Sequence, residues 1–218
     1  MRALNLDGVH HAVVVAPHSD DETIGAFFTI SALRRRGVRV DIIVVTDGSA
    51  SHRNSRAYPI KKLVALRQAE TLSAMRLAGV SPPNIAFLGL PDGGLRDLTM
   101  EEQYNAQRRL RARPQPDLLI VPSDHDDHPD HRVVAGLCDR AWPISIRRLC
   151  YIVWPSQRAP VNTLGSEVKL YGPVAAKRVA LRCYRSQTGL IRDDPNGFCL
   201  TPKMVARMCR PCERFACR

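Results

Sequence analysis

Short runs of consecutive apolar, largely β-branched residues alternate along the chain with longer segments of helical periodicity, and each run ends in a polar loop. His11–Ala16 (HAVVVA) reads as a buried strand, followed by the loop PHSDDE and a helix over about residues 23–36 that Gly37 ends. Residues 38–46 (VRVDIIVVT) form a second strand, residues 47–58 a polar loop, and about 60–78 a long helix stopped by Gly79. A short strand at 85–88 leads into LPDGGL, then a helix over about 99–112 with Thr99 as N-cap and two glutamates in its first turn. Residues 117–121 (DLLIV) form a fourth buried strand running into PSDHDDHPDHR, with the next helix beginning near Arg132. Strands at 147–153 and near 167–171 follow, and Pro173 opens a helix to about Gln187. Strands alternating with helices predict an α/β class: a three-layer, Rossmann-like fold with a mostly parallel sheet flanked by helices.

Composition narrows the class further. The chain has 218 residues, 44% hydrophobic and 24% charged, close to globular averages, which excludes collagen-like and disordered chains. One domain over 1–218 is expected, its motifs in about 11–187 and a basic, cysteine-containing tail in 188–218. No apolar run approaches a membrane span and the N-terminus lacks the apolar core of a leader, so the expected location is cytoplasmic. The net charge of +11 is uneven: residues 147–218 hold 14 basic and 4 acidic side chains, residues 1–146 hold 18 and 17. Such asymmetry suits contact with an anionic partner, or simply a solvated basic surface. Seven cysteines without a secretory signal predict reduced thiols. Cys209, Cys212 and Cys217, with Cys199, could hold a structural metal, or stand as isolated thiols near a frayed end.

Two loops carry the candidate chemistry. The loop after the first strand holds His18, Asp20, Asp21 and Glu22; the loop after the fourth holds Asp124, His125, Asp126, Asp127, His128, Asp130 and His131. In an open parallel sheet both would meet beyond the carboxyl ends of the strands. Carboxylates and imidazoles gathered there repel one another unless a cation binds, and two histidines with one carboxylate leave open positions on catalytic zinc or non-haem iron. Adjacent Asp20 and Asp21 point in divergent directions, so one can ligate while the other reaches the reacting water. Each motif alone would read as a capped helix entry.

The segment VVVAPHSDDETIG (residues 13–25), with DDHPDHR (126–132), resembles the PIG-L/LmbE-like family of zinc-dependent N-acetylglucosaminyl deacetylases. VVTDGS, RQAE at 67–70, LAGV at 77–80, FLGLPDGGL and KRVALRCYRSQ at 177–187 also resemble family segments, in order. The resemblance implies a Rossmann-like fold, Zn2+ bound by His18, Asp21 and His131, Asp20 as general base, and a protonated His128 at the oxyanion. It also implies that Arg67 and Asp92 contact the sugar; the residue-level alternatives are an Arg67–Glu70 pair and a turn at Asp92. Ser19 stands where the family usually has proline. Asp126 stands where some sugar-thiol members carry tyrosine, which argues against a mycothiol-type substrate.

The expected substrate is therefore an N-acetylated amino sugar conjugate on a neutral or anionic carrier, with peripheral membrane contact open. The competing classes are an amidase for another acyl-amine, and a nucleic-acid or anionic-membrane binding protein. Nucleic acid is disfavoured by an aromatic content of 6%, little for base stacking. No GxGxxG after a strand, GxxxxGK[ST], GxSxG or HExxH occurs.

Overall fold

The computed structural model describes residues 2–155 and 166–218. Its elements in chain order are β1 (Arg2–Ala3), β2 (His11–Ala16), α1 (Asp21–Arg35), β3 (Arg39–Thr46), α2 (Ile60–Leu77), β4 (Ile85–Leu90), α3 (Met100–Leu110), β5 (Leu118–Pro122), α4 (Pro129–Ala141), β6 (Arg147–Tyr151), β7 (Glu167–Tyr171), α5 (Val174–Leu181), α6 (Pro202–Met208) and β8 (Cys212–Cys217). The strands form one sheet in the order β1-β7-β8-β6-β5-β2-β3-β4, parallel except that β8 runs antiparallel to both β6 and β7.

Side chains two apart on a strand share a face, and here both faces are apolar. Ala12, Val14 and Ala16 of β2, with Ile42 and Val44 of β3 and Ile120 of β5, pack under α1, α2 and α5. Val13 and Val15, with Ile43, Val45, Leu119 and Val121, pack against α3 and α4. The result is the three-layer α/β fold expected from the sequence. The chain leaves β2 for β3 and β4 on one side, then returns as β5 on the other, pairing Ala12 with Leu118. That reversal opens a crevice beyond the carboxyl ends of β2 and β5.

The boundaries differ from the sequence reading where side chains cap helices. α4 starts at Pro129 rather than near Arg132, because proline lacks the N–H that a first helical turn leaves unpaired, and His128 accepts the Asp130 N–H. α1 starts at Asp21 rather than residue 23, and α5 ends at Leu181 rather than reaching Gln187. Thr99 caps α3 as expected, in a reciprocal box with Glu102.

The tail is not frayed. β8 inserts between β6 and β7, and its Glu213 is buried against α1, accepting from the Phe28 and Thr29 amides at 2.9 and 3.0 Å and from Lys177 Nζ at 2.9 Å. Six residues holding a buried ion pair carry no apolar alternation, so the strand was not legible. All seven cysteines are free, and among the described residues Cys199, Cys209, Cys212 and Cys217 do not converge on one point. Phe215 of β8 is 1% exposed in the core under α1. Phe215→Ala is expected to cost about 3–5 kcal/mol in denaturant unfolding, the range for a fully buried phenylalanine; an unchanged midpoint would contradict a structural tail.

Candidate active site

The loop after β2 is folded by its own carboxylates. Asp21 Oδ2 accepts the His18 N–H at 2.9 Å, turning the loop back on α1. Asp20 sits at the N-cap of α1 with φ of +118°, the only non-glycine residue with positive φ among those described. An N-cap aspartate ordinarily turns its carboxylate onto the first helical amides. Asp20 makes no such bond, and it lines a cleft of about 230 Å3. A backbone of this kind costs of order 1–3 kcal/mol, and such strain concentrates at functional positions. Gly25, one turn on, lets α1 lie against the sheet: a Cβ there would come within 2.5 Å of the Tyr151 ring.

The loop after β5 is held by Asp126. Its Oδ1 accepts the His128 N–H at 2.9 Å, and its Oδ2 accepts the Val153 and Trp154 amides at 2.7 and 3.1 Å. These bonds aim His128 and His131 at the first loop. The three rings of His18, His128 and His131 lie with centroids 4.7–5.4 Å apart.

Asp21 Oδ2 lies 3.2 Å from His18 Nδ1 and 3.1 Å from His131 Nε2, so the three residues expected to bind metal meet at one oxygen. The other nitrogen of His18 donates to Asp130 Oδ2 at 3.2 Å, leaving Nδ1 to face the cluster. Both ring nitrogens of His131 are buried without a directed hydrogen bond among the described residues, although Asp126 Oδ2 lies 3.1 Å from Nδ1. A buried imidazole of this kind, beside a carboxylate and a second imidazole, fits a divalent cation, with Asp126 as its orienting carboxylate. Donor atoms of His18, His128 and His131, and separately of His18, Asp92 and Asp130, lie close enough to share an ion.

The electrostatics agree. Burial opposes charge on His18 and His131, but hydrogen bonds to Asp130, Asp21 and Asp92 hold the first well above its ordinary pKa, and Asp21 with Asp126 raises the second to about 9. Burial also works against Asp21, yet the two imidazoles keep its carboxyl well below the usual range. The site thus gathers negative charge that either protons or a cation can balance. Asp20 goes the other way: burial, and then the Asp21 charge, push it well up. His128 is pushed down by burial and by the neighbouring imidazoles. Its Nδ1 accepts the Asp130 N–H at 3.2 Å, so a neutral ring carries its proton on Nε2. In that neutral form the Nε2–H is the hydrogen free to be donated to an acceptor in the cleft.

Arg67 lies on α2 and is 3% exposed. Its Nη2 donates to the Ser19 carbonyl at 2.7 Å, its Nε has no partner among the described residues, and it lines the cleft. It does not pair with Glu70, whose carboxylate accepts from Ser186 N and Oγ at 2.8 and 2.6 Å. Asp92 also lines the cleft, accepting the Ala50 N–H at 3.0 Å with its other oxygen 3.2 Å from His18 Nε2. All seven candidate residues are therefore brought together. The sequence reading gave no role to Asp130 or to the aromatic wall of Trp154 and Phe198, whose rings meet edge-to-face at 6.0 Å. Asp130 lay inside the HPDH motif and was readable as a partner for histidine; the wall joins distant segments and had no sequence signal.

A family model described as PIG-L, GlcNAc-PI de-N-acetylase, matches residues 13–142. A relative, the probable N-acetyl-alpha-D-glucosaminyl L-malate deacetylase 2 of Bacillus subtilis (strain 168), is 23% identical over 192 residues, spanning 84% of this chain and 86% of its own. Among solved structures, the N,N'-diacetylchitobiose deacetylase of Pyrococcus horikoshii matches with a TM-score of 0.68 at 23% identity, covering 84% of this chain and 72% of that one. A conserved protein of Thermus thermophilus matches with a TM-score of 0.64 at 26% identity, covering 90% and 84%.

Proposed function

The chain belongs to the PIG-L (GlcNAc-PI de-N-acetylase) family, and on that premise we propose that it removes the N-acetyl group from an N-acetylglucosamine-type conjugate, releasing acetate and a free amine. The observation that carries this reading is Asp20, a buried, uncapped carboxylate in a left-handed backbone beside the point where His18, Asp21 and His131 meet.

In this reading His18, Asp21 and His131 hold Zn2+. The ion supplies Lewis acidity, making water easier to deprotonate and the amide carbonyl more electrophilic. Asp20 takes the proton of the attacking water, and its raised pKa brings it toward the range in which a carboxyl group both accepts and returns a proton near neutrality. The hydroxide oxygen bonds to the acyl carbon, and His128 donates from Nε2 to the developing oxyanion. Asp20 then returns the proton to the nitrogen as the C–N bond breaks, leaving acetate and the amine.

Arg67 and Asp92 hold the sugar. The cytoplasmic setting and the carrier, neutral or anionic, free or membrane-attached, belong to the same proposal. Part of the basic excess in residues 147–218 is internal: Lys177 and Arg148 are each 2% exposed, the first paired with Glu213 and the second donating to Trp142, Pro143 and Ile146 carbonyls. That favours an enzyme over a protein whose purpose is to bind an anionic surface. Among the described residues no helix is long and apolar enough to cross a membrane.

The test is acetate release by zinc-loaded and chelator-treated protein across neutral and anionic N-acetylglucosamine conjugates. Release that zinc restores supports the reading, and release from none of them overturns it. Arg67→Ala is expected to lower kcat/KM by about 10- to 100-fold, the equivalent of one charged hydrogen bond of roughly 1.5–3 kcal/mol, mainly through KM. An unchanged KM would remove Arg67 from the sugar site.

A further inference from the structure

We propose that Glu22 and Tyr184 are positioning residues that hold the Asp20 backbone in its left-handed conformation, an inference that rests on the catalytic reading of Asp20. An aspartate with φ of +118° returns to an ordinary N-cap unless its surroundings prevent it. Two sets of bonds do so. The Asp20 carbonyl accepts the Thr23 and Ile24 amides at 3.0 and 2.8 Å, which starts α1. The Asp20 N–H, which has no helical partner, donates to Glu22 Oε2 at 3.2 Å.

Glu22 is 0% exposed, so its carboxylate has to be held by the protein itself. Its other oxygen, Oε1, accepts from the hydroxyl of Tyr184, which is also 0% exposed and lies 2.9 Å from Thr23 Oγ1. Neither Glu22 nor Tyr184 is among the residues lining the cleft, and their hydrogen-bonded link to it is the Asp20 amide.

The source of Tyr184 strengthens the assignment. It belongs to the stretch KRVALRCYRSQ, for which the catalytic reading has no use. The same stretch sends Lys177 Nζ to the Ile24 carbonyl at 2.7 Å and Ser186 to Glu70 on α2. Residues 177–187 therefore clamp the first turns of α1, which carry Asp20 and Asp21, and the middle of α2, which carries Arg67.

Three variants test this. Tyr184→Phe keeps the ring in the core and removes the hydroxyl; Glu22→Ala removes the acceptor; Glu22→Gln keeps an oxygen for the Asp20 N–H and turns its amide to the Tyr184 oxygen. Tyr184→Phe and Glu22→Ala are expected to lose about 10- to 100-fold in kcat, the scale of a misplaced catalytic group, with KM and zinc stoichiometry unchanged, and Glu22→Gln is expected to recover most of the loss. A crystal structure of Tyr184→Phe should show Asp20 leaving positive φ while His18, Asp21 and His131 stay in place. An unchanged Asp20 backbone in that variant overturns the proposal, as does loss of activity in parallel with zinc. Should Glu22→Ala not fold, Tyr184→Phe carries the test. Should the parent release no acetate, the catalytic reading fails, and the Asp20 backbone in crystal structures of the parent and of Tyr184→Phe still decides this one.

Discussion

Asp20→Asn is expected to lower kcat by about 100- to 10,000-fold, the range for removing a general base, while the protein keeps one zinc per chain. At about 1.36 kcal/mol per tenfold, that is roughly 3–5 kcal/mol of transition-state stabilisation. Asparagine preserves the shape and tolerates the left-handed backbone better than most residues, so the strain at residue 20 is nearly unchanged and only the proton acceptor is lost. Glu22 and Arg67 keep their partners, since they address the Asp20 amide and the Ser19 carbonyl rather than the Asp20 side chain. Wild-type kcat in Asp20→Asn would move the base elsewhere; a drop accompanied by loss of zinc would make Asp20 a ligand.

His131→Ala is expected to fail in the opposite order: zinc is lost on dialysis and acetate release falls to the chelated background. His131 is 0% exposed and is the one imidazole of the three with neither nitrogen in a directed hydrogen bond. Its removal leaves Asp21 Oδ2 with only His18 as a neighbour in the cluster. His128→Ala is the contrasting case, expected to keep zinc and to lose about 100- to 1,000-fold in kcat, the scale for one oxyanion donor. Metal analysis of the dialysed variants separates the two histidines. Retained zinc in His131→Ala with zinc lost from His128→Ala would exchange their roles, and zinc lost from both would point to the His18, His128, His131 set as the ligands.

The site was legible in the sequence to an unequal degree. His18, Asp20, Asp21, His128 and His131 stand in two loops after strongly apolar strands, and parallel-sheet topology brings such loops together whatever the details. Arg67 and Asp92 were readable only through resemblance, because one lies in the middle of a helix and the other in a Gly-rich turn, where ordinary surface roles are equally natural. The helix starts were misplaced by two and three residues, at Asp21 and Pro129. Periodicity sees the apolar face of a helix, whereas its first turn is set by caps. That error mattered, since those first turns hold the chemistry.

The residue order alone determined the α/β class, the parallel centre of the sheet and the two loops that carry imidazoles and carboxylates, because burial on both faces writes long apolar runs and local caps write turns. Only the tertiary structure decided which way each group faces. It gave Asp20 its positive φ, assigned the neutral tautomer of His128 through the Asp130 amide, and turned Asp126 from a departure into the carboxylate beside His131. It also placed Glu213 of the basic tail against α1 and Tyr184 against Glu22. These depend on contacts between residues as many as 185 positions apart. Such pairings leave no local pattern, because a buried polar group is satisfied by whichever partner the fold brings to it.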